Sequence, residues 1–230
     1  MNQSSSFTPS RMTSSTESFV PSSVMATTLP SITDTFTRCP SYSYTPEMDV
    51  DAIMSSKSFI TKYQDTVVEE PYLADLLSTL ASGTRPFQTN LKDPRTAAGK
   101  ILRKLPVKPH YSEQEIADFL RGNIIAHDQD DAQAVLQQLH TAATVISVDN
   151  YVQAPTTWGY DGININIQTP GGNKAEVQIH TPETLAVQKA LHPLYEEWRN
   201  ATEIPLEVFA EAQRLADEAR NQVRLDNSVK

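Results

Sequence analysis

The chain has 230 residues, 28 acidic against 19 basic side chains and a formal net charge of -9. That leaves room for one domain and a tail, and it excludes a protein whose main work is coating DNA or RNA, which needs phosphate-neutralising cations. The one cysteine, Cys39, excludes an intrachain disulfide and a cysteine metal cluster, and no apolar run approaches the length that spans a bilayer or forms a secretory core.

Residues 1–45 read as an unfolded tail. Nearly half of the first 40 residues are Ser or Thr, only Arg11, Glu17, Asp34 and Arg38 carry charge, and no apolar periodicity runs through them. Such a segment cannot bury enough surface to offset its ordering entropy. A linker, a low-complexity appendage and an export signal all fit it, and its composition resembles the N-termini of effectors exported by bacterial type III machines.

Helical spacing begins near residue 47. Phe59, Ile60, Tyr63 and Val67 predict a helix over 58–68. Pro71 restarts one through Leu73, Leu76, Leu77 and Leu80, which Gly83 ends. Pro94 opens a helix over 95–105, closed by Pro106. Asp118 to Ala126 reads as a helix end leading into a strand. A helix over 130–140 turns Ala134, Val135, Leu136 and Leu139 inward, and a strand over 144–151 follows.

The stretch 159–181 reads as two alternating strands around a Pro-Gly-Gly turn. Ile163, Ile165 and Ile167 point to one face and Asn164, Asn166 and Gln168 to the other. On the return strand Val177 and Ile179 alternate with Glu176, Gln178 and His180. Thr181 is an N-cap with Pro182 at the first helical position. That helix carries Leu191, Leu194, Tyr195 and Trp198 as an apolar stripe, with His192, Glu196 and Arg199 on its polar side. Pro205 opens a last helix with Val208, Phe209, Ala212, Leu215 and Ala219 on one side. Together these elements predict an α+β domain over 46–230: a mixed, mostly antiparallel sheet of about four to five strands flanked by helices.

Three groups of residues suit chemistry. Lys92, Arg95, Lys100, Arg103, Lys104 and Lys108 crowd one stretch of an acidic chain; this is a solvated basic face or a phosphate site, the latter favoured by the free N–H groups of a helix start near Pro94. Asp118 and Glu176 share a magnesium ion if their strands are neighbours; otherwise Asp118 caps or pairs with Arg121, and Glu176 decorates a wet sheet face. Tyr160, between Gly159 and Asp161, has small neighbours that leave a ring face open to a base, or it packs at the sheet edge. Gln178 and His180 share the face of Glu176. No metal motif of His or Cys spacing and no Gly-rich phosphate loop is present.

Taken in order, these residues resemble the synthetase domain of RelA/SpoT-type enzymes, the alarmone synthetases, and their small toxin and phage-borne relatives. The resemblance runs from about Lys92 to Arg199. It follows Lys-x3-Thr-x3-Lys, then Asp-Phe-Leu-Arg-Gly, Gly-Tyr-x-Gly-Ile-Asn, Glu-Val-Gln-Ile-His-Thr and a helix with His-x2-Tyr-Glu. It implies magnesium-dependent transfer of pyrophosphate from ATP to the 3′ hydroxyl of a nucleotide acceptor, with AMP released. It also implies Asp118 and Glu176 as catalytic and metal-binding carboxylates. The implied substrate contacts are Lys92, Arg95, Lys100, Arg121, Tyr160, Asn164, Gln178 and His180. Three places depart from the family pattern: Asn90 stands where an arginine is usual, Asn164 where a histidine is usual, and His180 where an arginine is usual.

The expectation is thus a pyrophosphokinase of the bacterial cytoplasm, acting as a toxin or as an effector exported into a host cell. Its partners are ATP, a nucleotide acceptor and an antitoxin, secretion chaperone or host protein, with no membrane. A second reading keeps the scaffold as a nucleotide- or partner-binding module. A third, an ADP-ribosyltransferase, needs a catalytic Glu where Gln178 stands.

Overall fold

The structure, a computed structural model, describes residues 44–199, 201 and 203–228. Cys39 and all but the last two residues of the expected tail lie outside them. The elements run α1 (Val50–Met54), α2 (Lys57–Val67), α3 (Glu70–Ala81), β1 (Phe87–Leu91), α4 (Pro94–Lys104), β2 (Leu120–Ile125), α5 (Gln129–Ala142), β3 (Thr144–Asn150), β4 (Ile163–Gln168), β5 (Lys174–His180), α6 (Pro182–Trp198) and α7 (Leu206–Ser228). The five strands lie in the order β1-β2-β5-β4-β3. Only β2 and β5 pair in parallel; the other three pairs are antiparallel. This is the expected α+β class with a mixed, mostly antiparallel sheet.

Local chemistry sets the element ends. Asp93 caps α4 by accepting from the Thr96 N–H at 2.8 Å, with Pro94 at the first turn. Thr181 caps α6 by accepting from the Thr184 N–H, and the Thr184 hydroxyl accepts in return from the Thr181 N–H. Between β4 and β5 the Thr169 N–H donates to the Asn173 carbonyl at 2.9 Å, which closes the predicted turn.

The alternation of the hairpin decides what the sheet does. Ile163, Ile165 and Ile167 of β4 and Ala175, Val177 and Ile179 of β5 are buried. They join Leu120 and Ile124 of β2, Leu73 and Leu77 of α3, and Val135 and Leu139 of α5 in one core. Each such large aliphatic side chain contributes roughly 1.5–3 kcal/mol on burial. The opposite face carries Arg121, Asn123, Asn164, Asn166, Glu176 and Gln178, and it is left for chemistry. A second cluster packs α2 and α4 through Phe59, Ala97, Ala98, Ile101 and Phe119, and a third joins α6 to α7 through Val187, Leu191, Ala212 and Ala216.

Two features depart from the sequence reading. β1 was not predicted: Phe-Gln-Thr-Asn-Leu is short, half exposed and weakly alternating. Asp118 does not end a helix; it lies in chain without regular structure between a 3-10 turn at Glu113–Glu115 and β2.

Candidate active site

The topology gathers the charged residues at one end of the polar face. β1 ends at Leu91, which pairs with Leu120 at the start of β2. Lys92 and Asp118 therefore flank adjacent strand ends, tied by a 2.7 Å bond from the Lys92 N–H to the Phe119 carbonyl. Two turns into α4, Lys100 faces the same carboxylate. Lys92 Nζ donates to Asp118 Oδ2 and Lys100 Nζ to Oδ1, both at 2.8 Å. The Lys92 and Asp118 side chains are only 11% and 13% exposed. Burial works against the Asp118 anion, but Lys100 and Lys92 together hold its pKa down at about 2. Burial pulls the Lys92 ammonium the other way, lowering its pKa against the attraction of Asp118.

Because β2 and β5 run parallel in register, Arg121 stands beside Glu176 and Asn123 beside Gln178. Glu176 is half-buried. Burial raises its pKa and the charge of Asp118 adds to the rise, while Lys100, Arg121 and the Gln178 amide oppose it. The two acids thus act on one another, with Lys100 and Arg121 opposing the effect on Glu176. Gln178 Nε2 donates to Glu176 Oε2 at 2.8 Å, and Gln178 Oε1 accepts from Gln188 Nε2 of α6 at 3.1 Å. This chain of amides fixes the direction of the Glu176 carboxylate.

Tyr160 precedes β4 at the other end of the face. Its hydroxyl donates to Asn164 Oδ1 at 2.7 Å. Its ring meets those of Tyr151 and His180 edge-on, with centroids 5.6 and 6.0 Å apart. It lies directly over Gly162, where a Cβ would stand 2.8 Å from Tyr160 Cζ and 2.9 Å from His180 Cε1. Burial, then the charges of Glu176 and Asp161, push its phenol pKa up, so the hydroxyl stays a donor.

Two predicted contacts sit differently from the sequence reading. His180 shares the face of Glu176 and Gln178, but it is wholly buried beneath Tyr160. Burial lowers its pKa to about 4, so the ring is neutral; Nδ1 lies 3.4 Å from Thr184 Oγ1, and Nε2 has no hydrogen-bond partner among the described residues. Arg95 is exposed and pairs with Asp51 of α1 at 2.6 Å, apart from the Asp118 cluster. Arg121 donates from Nε to Asn90 Oδ1 at 3.0 Å, so the asparagine at the first departure holds an arginine of the adjacent strand.

The sequence reading placed Arg103 in the basic run but not among the substrate contacts, and assigned no role at the site to Arg199 or Gln188. Arg103, in the last turn of α4, is pulled down in pKa by burial and then by Arg199, and it feels Asp118 as well. The cationic wall therefore extends to the end of α6. The Lys92–Lys108 basic run was the signal that pointed to Arg103; Arg199 and Gln188 come from a helix whose orientation no local pattern states.

Asp118 and Glu176 supply the hard carboxylate oxygens that a magnesium ion takes, and substrate phosphates and water complete such a shell. Among the described residues no group of three or more His, Cys, Asp or Glu side chains gathers to hold an ion alone. The donor set fits an ion carried in with a triphosphate.

An α+β scaffold with two acids and a lysine wall over one polar sheet face defines a fold of the alarmone-synthetase kind. Residues 90–198, just under half of the chain, match the region found in RelA / SpoT proteins. Among solved structures, the chain is similar to small alarmone synthetase 2 from Bacillus subtilis, at 20% identity over 75% of this chain and 95% of that one, TM-score 0.56. It is also similar to small alarmone synthetase 1 from Bacillus subtilis bound to its product pppGpp, at 22% identity over 75% and 93%, TM-score 0.54. The Type VI effector Tas1, in complex with its immunity protein, is similar at 20% identity over 72% and 97%, TM-score 0.55. At these identities the likeness is one of fold. No match is found among curated proteins. Among the described residues no helix is long and apolar enough to cross a membrane.

Proposed function

We propose that this chain transfers pyrophosphate from ATP to the 3′ hydroxyl of a nucleotide acceptor, with magnesium, and that it acts as a toxin or delivered effector. The catalytic domain would span 46–230, with 1–45 serving delivery. The observation that carries the reaction is the double grip of Lys92 and Lys100 on Asp118 beside Glu176. Two lysines locked on one carboxylate are poised to exchange part of that grip for phosphate oxygens when a triphosphate enters.

Lys92, Lys100 and Arg103 neutralise the triphosphate, and Arg121 lines the floor beside Glu176. Asp118 and Glu176 would hold the ion, which would offset phosphate charge. The acceptor base stacks on Tyr160, whose ring Asn164 and Gly162 set in place. Glu176, aimed by Gln178 and Gln188, accepts the 3′ hydroxyl proton as the oxygen forms its bond to the β-phosphorus and the bond to AMP breaks. Positioning supplies most of the rate. Support for the toxin role is the fold likeness to the effector Tas1; its partner there is an immunity protein, and a neutralising partner is proposed here by analogy.

The alternative, a nucleotide- or partner-binding module without catalysis, is favoured by Asn90 in place of an arginine and Asn164 in place of a histidine. Incubating the full chain with ATP, magnesium and GDP, GTP, ADP or uncharged transfer RNA decides between the two. The proposal expects a mass gain of one pyrophosphate on an acceptor, lost in Glu176→Gln. Tight nucleotide binding with no AMP release favours the module instead.

A further inference from the structure

The loop that carries Tyr160 is held by a helix outside the family-matched residues. Arg220 of α7 donates from Nε and Nη2 to Asp161 Oδ2 at 3.2 and 2.8 Å, and from Nη2 to the Gly159 carbonyl at 3.2 Å. Its Nη1 bonds Asp217 on its own helix at 2.9 Å, which orients the guanidinium. The Arg220 and Asp161 side chains are 21% and 14% exposed, so water screens the pair little. Gln213 of α7 donates to the Thr157 carbonyl at 3.4 Å, and Phe209 packs on Trp158 with ring centroids 5.1 Å apart. Gly159 has φ +83, and a Cβ there would stand 3.3 Å from Ala216 Cβ, so the helix lies directly on the loop.

Thr157, Trp158, Gly159 and Asp161 are therefore each held by α7, while the Tyr160 ring meets Tyr151 and His180 instead. The segment 151–162 has no helix or strand of its own, and contacts from outside set such a loop. A planar guanidinium that grips a carboxylate and a carbonyl together fixes both position and angle.

We propose that α7 is the positioning clamp of the acceptor side: Arg220, by holding Asp161 and Gly159 at once, sets where the Tyr160 ring stands for an acceptor base, and it leaves the donor side untouched. The inference rests on Tyr160 being the stacking platform of the proposed reaction. Arg220 is a positioning residue, since it acts through the loop.

The test uses the full chain as Arg220→Ala, Arg220→Lys and the exchange pair Arg220→Asp with Asp161→Arg. Acceptor and ATP KM are measured in the transfer assay, together with hydrogen exchange at the amides of 157–162 and of β5. Arg220→Ala is expected to raise acceptor KM roughly tenfold or more, to leave ATP KM unchanged, and to speed exchange at Gly159 and Tyr160 but not in β5. Arg220→Lys and the exchange pair are expected to recover part of the acceptor KM. Equal rises in both KM values, or unchanged exchange at Gly159 and Tyr160, would overturn the clamp. A wild type that transfers to no acceptor would instead remove the reading on which the clamp rests.

Discussion

At the β1–β2 end of the cleft, Lys92 and Lys100 close on Asp118, with Arg103 behind them. At the β4 end, Tyr160, Asn164 and a neutral His180 meet by ring edges and one hydrogen bond, from the Tyr160 hydroxyl to Asn164 Oδ1. Glu176 lies between the ends and feels Asp118 from one side, while its charge reaches Tyr160 on the other. The contrast teaches that one sheet face serves two kinds of ligand. A polyanion needs fixed cations, whose strength comes from low local dielectric. A base needs a flat, neutral surface with a few hydrogen-bonding groups. Variants at the two ends should therefore fail differently.

The largest effect belongs to the residue both ends share. Glu176→Gln is expected to lower kcat by about 10²–10⁴, the range of a lost general base, with nucleotide binding retained by calorimetry. The acid limb of the wild-type kcat/KM profile should lie above the ordinary glutamate pKa of about 4.3, because burial and Asp118 raise it. On the cationic side, Lys100→Met removes one phosphate donor and is expected to cost about 10²–10³ in kcat/KM for ATP, with acceptor KM little changed. On the aromatic side, Tyr160→Ala loses base stacking of about 1–3 kcal/mol, read as a rise in acceptor KM alone. If Lys100→Met and Tyr160→Ala raised both KM values alike, the division into two ends would be wrong.

A further effect is on stability rather than on transfer. His180 has a pKa of about 4 when folded and about 6.5 when unfolded. The unfolded chain therefore binds the extra proton between those values, and stability falls as the pH drops from about 6.5 to about 4. The loss over that window is about 3 kcal/mol. Urea midpoints across the window should show that fall, and the slope should flatten in His180→Phe.

Much of this was legible in the sequence, for physical reasons that vary by residue. The 159–181 hairpin shows both faces through strict alternation, and Thr181-Pro182 and Asp93-Pro94 mark helix starts through capping chemistry that acts within four residues. The convergence of Lys92, Lys100 and Asp118 was expected only through the family resemblance, since the pairing of β1 with β2 that produces it leaves little local trace. His180 shows the limit of alternation. Its face was right, but its burial depends on Tyr160 folding over Gly162, a contact no period reports. Arg95 lies in the basic run yet turns to Asp51, because the helical rotation of α4 points Lys100 and Arg95 apart. Arg220 and Gln188 reach the cleft's surroundings from α7 and α6, whose placement is set by their mutual packing.

The most direct test follows label from ATP. With magnesium and a competent acceptor, γ-labelled ATP should pass its label to the acceptor and α-labelled ATP should pass its label to AMP alone, with both transfers abolished in Glu176→Gln. Label from the γ position that stays in ATP, or that emerges as free phosphate with every acceptor, would contradict pyrophosphate transfer at this cleft.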